Sequence, residues 1–493
     1  STKTRAIRWQ FNALRMVFKT PEGNNMNTDN TELFERTPVK KAVISLVVPT
    51  VISQLITVIY NMADTFFIGQ VGDPNQVAAA SLCMPLFILL TGIANLFGIG
   101  GSSLISRCLG AGSRDKAKKT AAFCIWTAGA VSFLYGMILL LFKSFALPAI
   151  GANAETYRFC YVYVFWTITI GAVPTVLNAL FAHLVRAEGY SRQASFGMAL
   201  GGVLNIFLDP LFISAFGLEI AGAAIATMLS NLIAAFYFIL LISGKRKSTV
   251  ITLNPKNYTL QGHIPREVLL VGLPSCIMNM MGVFSNIVLN KLMASYCNEA
   301  VAGIGIAKKV DMMSFAIATG MSQGVLPLIG YNYSSKNYKR MMSAVKTTFL
   351  FSLMVALAGT TFLLTCAQPI VRAFIDDPLT VEYGQRFQRI ICITGPCISV
   401  TMIIITLFQS IGIKARPLLL SLLRKGGLDI PLMFLMNALL GVNGIVWATP
   451  IADFSAMLAA LALFLPFWQK MRSDVLHSSG ASETARDGMQ QPV

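Results

Sequence analysis

Charge is what this sequence most lacks. Only 12% of its 493 residues are Asp, Glu, Lys or Arg, while 55% are hydrophobic; ordinary soluble domains carry about 25% charged residues. So little polar surface excludes a water-soluble globular chain and makes this a polytopic membrane protein whose first partner is the lipid bilayer. Histidine is scarce: His183, His263 and His477 stand far apart and make no metal-ligand spacing, so zinc chemistry has no support. No CxxC pair occurs, and the nine cysteines are scattered singly, mostly in apolar segments, as packing residues are. Neither a Walker A loop nor a nucleophile elbow is present, so ATP hydrolysis and acyl transfer find no residues to act through. An enzyme is not expected, nor an organic cofactor; uphill work must draw on an ion gradient.

What the chain has instead is sustained apolar length. A membrane barrel would show alternating segments about half as long as a helical span. A spanning helix needs about 20 apolar residues, and the runs predict an all-α protein with about twelve transmembrane helices. They lie near 41–69, 77–106, 119–147, 157–184, 191–215, 220–243, 267–296, 301–331, 344–371, 382–411, 416–439 and 443–469. Proline at 49, 85, 174, 274, 327, 396, 431 and 450 interrupts many of them, removing backbone donors and permitting bends.

The net charge of +17 sits in alternate turns: Arg114, Lys116, Lys118 and Lys119; Arg186 and Arg192; Lys245, Arg246 and Lys247; Lys336, Lys339 and Arg340; Lys414 and Arg416. The intervening turns hold Asp73, Glu155, Glu219, Glu299, Asp376 and Asp377. The Lys/Arg bias places both termini in the cytoplasm and explains the basic charge by inner-face loops meeting anionic lipid, so no nucleic-acid partner is expected. Residues 1–40 read as a polar cytoplasmic segment without a cleaved leader, with Met26 a candidate start. Residues 471–493 read as a disordered cytoplasmic tail.

The chain repeats itself. Val48-Pro49 is echoed by Leu273-Pro274, Asn61 by Asn286 at an offset of 225, Gly189 by Gly412, and Gly222 to Thr227 by Gly444 to Thr449. The duplication predicts two pseudo-symmetric six-helix bundles, 41–243 and 267–470, joined by a cytoplasmic connector at 244–266 around a central path, as in transporters. The repetition of Pro49 by Pro274 makes the first helix of each lobe a candidate moving element.

Polar groups inside the apolar helices carry the functional argument. Ser53, Thr57, Asn61 and Asp64 fall at i, i+4, i+8 and i+11, one face of a helix. Asn205 and Asp209 are i and i+4 in the fifth span, and Thr227 and Asn231 repeat that spacing in the sixth. A carboxylate at bilayer depth costs about 2.5–3.5 kcal/mol on insertion scales, so two facing inward mark an ion or proton pathway; the alternative is that they only bond neighbouring helices.

Asn61-Met62-Ala63-Asp64-Thr65 with Phe67-Ile68-Gly69, Leu109-Gly110-Ala111-Gly112 with Arg114-Asp115, and the run Asn205 to Ile213 with Gly222-Ala223-Ala224 resemble signatures of the multidrug and toxic compound extrusion (MATE) family, nearest its bacterial MepA-like branch. Arg186-Ala187-Glu188-Gly189 and Gly324-Val325-Leu326-Pro327-Leu328 are similar to that branch too. The resemblance spans roughly 35–470. It implies a V-shaped cavity between the bundles, a bacterial inner-membrane location, and antiport of small organic cations against Na+ or H+, with Asp64, Asn205, Asp209 and Thr227 as the ion-coupling set. A seventh-helix acid used by other family members is missing between Pro274 and Cys297. The expected working unit is a monomer.

The second half offers a neutral face instead, with Asn279, Asn286 and Asn290 at i, i+7 and i+11. Met278 and its methionine neighbours suit a plastic cavity or ordinary packing. Lys308, Lys309, Asp311, Arg424, Asp429 and Asp453 either line the lobe interface or form internal ion pairs. A lipid-linked oligosaccharide flippase, which would want a cationic cavity, is the rival reading that Arg424, Lys425, Lys308 and Lys309 keep alive.

Overall fold

In the computed structural model, which describes residues 31–245 and 248–487, every long element is a helix. Among the described residues nine helices are long and apolar enough to cross a bilayer, and two more crossings are each broken into a bent pair. The longest run, Ala415–Ser473, is itself two crossings. At Gly441 φ is +60° and ψ −141°, a backbone that glycine adopts and that strains other residues, and the chain doubles back so that Gly444 lies against the Met436 carbonyl.

The twelve spans are α1 (Val39–Gly69), α2 (Pro74–Gly110), α3 (Arg114–Leu141), α4 (Tyr157–Ile170 with Ala172–Ala187), α5 (Ser191–Ala215), α6 (Glu219–Gly244), α7 (Ile264–Ala294), α8 (Asn298–Ser334), α9 (Tyr338–Thr365), α10 (Pro378–Cys392 with Gly395–Ser410), α11 (415–440) and α12 (from 442). Helical backbone runs on through Asp487, where the sequence suggests a disordered tail from 471. The candidate start Met26 and the remaining 488–493 lie outside the described residues.

In hydrocarbon each backbone N–H and C=O must be bonded within its own segment, which makes these apolar runs helical. Two of the acidic turns mark where a helix begins. Asp73 accepts from the Asn75 N–H with Pro74 following, and Asp377 accepts from the Thr380 N–H with Pro378 following; both are N-caps with proline in the first turn. Proline alone does not break a helix here: α1 continues through Pro49 and α7 through Pro274. The sharp bends, 51° in α4 and 41° in α10, fall just before Pro174 and Pro396, at corresponding places in the two repeats.

Each lobe has its own core. One cluster runs from Ile68 at the end of α1 through α2 to α6 and on to Ile264 and Val268 at the start of α7; another gathers α8, α9, α10 and α12 around Val325, Leu328 and Phe408. Ala42, Val43, Leu46 and Val47 of α1 belong to the second of these. The first helix of one lobe thus starts embedded in the other.

The lobes meet at the end carrying the basic turns. A Cβ on Gly100 would run into the Val268 carbonyl, and one on Gly272 into the Leu96 carbonyl, a reciprocal backbone contact between α2 and α7. Arg107 and Lys116 reach Glu267 at 3.2 and 3.6 Å, Gln409 Nε2 donates to the Val271 carbonyl at 3.0 Å, and Gln54 donates to Gln323 at 3.0 Å. A short helix, Thr31–Glu35, lies across the same end. Buried Phe34 stacks on Tyr331 at 4.9 Å, and Arg340 donates to the carbonyls of Leu33, Phe34 and Thr37. This part of the polar leading segment is therefore built into the structure.

The connector is pinned by Glu188, which is 7% exposed. It accepts from Thr249 Oγ1 at 2.6 Å and from the Val250 N–H; burial pushes its carboxyl up, and these two bonds oppose that shift. Glu188→Ala strips a buried N–H and a buried hydroxyl of their acceptor, a loss of roughly 1–3 kcal/mol each when unsatisfied. The expected result is a lowered melting temperature in detergent, whereas Glu188→Gln keeps an acceptor oxygen and melts closer to the unaltered protein.

Candidate functional site

Asp209 is the most completely buried acid of the first lobe, 0% exposed, with Asn205 at 1% and Thr227 at 5% beside it. Their spacing places Asn205 one helical turn before Asp209 on α5, and Asn205 Nδ2 donates to Asp209 Oδ1 at 3.1 Å and reaches Thr227 Oγ1 on α6 at 3.4 Å. Pro210 follows, and α5 then relaxes into a π-helical turn, Leu211–Ala215, a distortion frequent at functional sites.

Close packing brings Asp64 to this group. A Cβ on Gly202 would stand 2.9 Å from Ile56 Cγ2 and from Tyr60 Cδ1, so the bare glycine lets α1 lie directly on α5. Asp64 lies within electrostatic reach of Asp209, and Tyr60 and Tyr163 lie within reach of both carboxylates. Three oxygens, Asp64 Oδ1, Asn205 Oδ1 and Asp209 Oδ2, are buried without a hydrogen-bond partner. Each is an acceptor out of water, an arrangement that favours a proton or a hard cation. Among the described residues no three His, Cys, Asp or Glu side chains gather as a metal cluster; the oxygens on offer are two carboxylates, an amide and a hydroxyl, chemistry that suits an alkali ion better than a transition metal.

The polar set extends further than the sequence suggests. Asn231 Nδ2 bonds the Thr227 carbonyl at 2.8 Å, and its Oδ1 accepts from Asn178 on α4 at 2.9 Å. Asn178 Oδ1 and Thr175 Oγ1 are again buried and unpartnered. Tyr60, Tyr163, Thr175 and Asn178 carry no spacing signal of their own.

The α1 stripe behaves differently. Ser53, Thr57 and Asn61 each donate to a carbonyl of their own helix, those of Thr50, Ser53 and Thr57, at 2.9, 3.0 and 2.8 Å. Ser53 is buried, Thr57 half-buried and Asn61 exposed, so only the lower end of the stripe, at Asp64, joins the cluster.

In the second lobe Asn279 and Met278 are half-buried, and Asn286 and Asn290 are exposed. The charged residues there form internal pairs. Arg424 Nε meets Asp453 Oδ1 at 2.6 Å, both side chains 2% exposed; Asp429 accepts from Ser285 at 2.6 Å with Lys425 at 3.8 Å. Asp311 is half-buried within electrostatic reach of Lys308, while Lys309, the lysine of the candidate set, is exposed.

Two duplicated bundles, a pair of acids with buried oxygens in one and internal ion pairs in the other define a two-lobe, multi-pass membrane transporter. The MatE family profile matches twice, over 49–211 and 274–435, tracing the two repeats, and the chain belongs to this family, the MATE transporters. It is 30% identical over 438 residues to the multidrug export protein MepA of Staphylococcus aureus (strain NCTC 8325 / PS 47), covering 89% of this chain and 96% of that one. To MepA of Staphylococcus saprophyticus it is 31% identical over 442 residues, with 89% and 96% covered. Solved MATE structures share the twelve-helix fold. A complex with MaD3S superposes at TM-score 0.83 with 25% identity over 92% of this chain and 99% of that one. An outward-facing multidrug resistance MATE transporter gives 0.81 with 24% identity over 92% and 100%.

Proposed function

We propose that this protein is a secondary-active multidrug efflux antiporter of a bacterial inner membrane, working as a monomer and exporting small lipophilic organic cations in exchange for Na+ or H+ by alternating access. The observation that carries the reading is the trio of unpartnered buried oxygens on Asp64, Asn205 and Asp209. Ionised, the two acids attract an organic cation into the cavity; once they take a proton, or share Na+ with the Asn205 and Thr227 oxygens, that attraction is cancelled and release follows. Coupling needs only that ion and drug prefer different lobe arrangements. The test is dye efflux from vesicles with Na+ and pH gradients imposed separately: the reading requires one of them to drive efflux, and flux indifferent to both sinks it.

Two of the four basic residues that keep the flippase alternative alive are paired, Arg424 with Asp453 and Lys425 beside Asp429, which favours the antiporter reading. Orientation follows from the Lys/Arg turns. A cysteine placed beside Lys119 is expected to be shielded from an impermeant thiol reagent in intact cells, and one beside Asp376 to react; the reverse labelling would invert the topology. Lys247, the other basic-turn position suited to this test, lies outside the described residues.

A further inference from the structure

Arg424 occupies surroundings that would receive an organic cation. Its Nε is 2.6 Å from Asp453 Oδ1, its Cζ stands 5.4 Å from the Phe315 ring centroid, and its Nη1 is 3.9 Å from Met278 Sδ. A carboxylate, an aromatic face and a polarisable thioether together are the chemistry that holds alkylammonium, phosphonium and guanidinium groups. An ion pair kept only for stability needs the carboxylate alone. Phe315 and Met278 are only half-buried, so the surroundings are not sealed at these two residues, and Asp453 Oδ2 is buried without a partner, leaving capacity for a second positive group. Arg424 itself stands in a π-helical turn, Leu423–Gly427, that contains two glycines, backbone suited to swinging the side chain away. By the repeat offsets that relate Gly189 to Gly412 and Thr227 to Thr449, the positions matching Arg424 and Asp453 in the first lobe are Gly201 and Asn231, so no built-in cation stands there.

We propose that Asp453, Phe315 and Met278 form a second subsite for organic cations, with Arg424 as its tethered occupant, displaced when a transported cation enters. The proposal rests on the reading of the chain as a carrier of such cations and adds where in the second lobe they dock. Arg424 then acts as an internal competitor: it keeps Asp453 neutralised when the subsite is empty and returns to it as the cargo leaves.

The test uses the full chain in lipid nanodiscs, with tetraphenylphosphonium as probe and no ion gradient. In the unaltered protein, phenylglyoxal modification of Arg424, read by mass spectrometry, is expected to rise severalfold when the probe is bound; labelling that stays flat or falls overturns the proposal. Arg424→Ala is expected to bind the probe about tenfold more tightly, since a like-charged competitor has been removed, and adding Asp453→Asn to it is expected to abolish that gain. Equal or weaker binding by a folded Arg424→Ala protein overturns the proposal. Should Arg424→Ala not fold, the labelling result decides alone. Because no gradient is present, failure of ion-driven efflux with the binding results intact counts against the antiport reading and not against the subsite.

Discussion

Asp209→Asn abolishes gradient-driven efflux while the folded protein remains in the membrane. The substitution keeps shape and retains an oxygen to accept from Asn205 Nδ2, the bond now made at 3.1 Å, and the new amide N–H groups face a neighbourhood that already holds the unpartnered Asn205 Oδ1 and Asp64 Oδ1. Burial is therefore no worse satisfied than before, and the melting temperature is expected to hold or rise. What disappears is the group that changes charge. Coupling requires the ion to bind one lobe arrangement better than the other, so without a titrating group the stimulation of efflux by an imposed gradient should fall to the level of vesicles without the protein. Unaltered transport by this variant would remove Asp209 from the mechanism.

Asn205→Ala and Thr227→Ala shift the Na+ or pH dependence of efflux, whereas Asn286→Ala and Asn290→Ala change which compounds are carried and leave that dependence nearly intact. Asn205 is the only side chain that hydrogen-bonds both Asp209 and Thr227 in the described cluster; its loss deprives the acid of a donor and any bound cation of a ligand. A displacement of the half-maximal ion concentration by about tenfold, roughly 1.4 kcal/mol, is the expected size. The seventh-helix amides are exposed and neutral, so they can orient a substrate without titrating. Both sets are to be compared in the same vesicles across a series of Na+ concentrations and pH values. If the α7 variants move the ion dependence as far as the first pair, coupling is not confined to one lobe.

Much of this was readable from residue order because membrane burial is so restrictive. Apolar length gave the spans, the offsets gave the two bundles, and i, i+4 spacing joined Asn205 to Asp209 and set Thr227 on the facing helix. The same spacing misleads on α1, where hydroxyls one turn apart reach their own backbone carbonyls as easily as a neighbour, and Ser53 and Thr57 do so. Asn178 and Tyr163 stay hidden because α4 arrives in the site through a bend of 51° that no local pattern announces. Arg424 and Asp453 stand on either side of the reversal at Gly441, so a pair and two separate cavity groups look alike in one dimension. Glu188 was visible only as part of a family-like motif; its two hydrogen bonds from the connector supply the physical reason for an acid there.

α1 has a bearing at each end. From Ala42 to Val47 it is set in the core of the second lobe, and at Tyr60 it lies on Gly202 of the first, with Asp64 one turn beyond. A rod fixed in two bodies turns any change of angle between them into a bend of the rod or a slip at one seat. The reciprocal contact of Gly100 and Gly272 holds α2 and α7 backbone to backbone, so a change of lobe angle is a tilt about that seam. Asp64 rides on that rod and Asp209 on the first lobe, so in the proposed mechanism the acid pair would report the lobe angle. Under the proposed antiport, an ion held between the two acids would favour one lobe angle, and the lobe angle would in turn decide whether the ion fits.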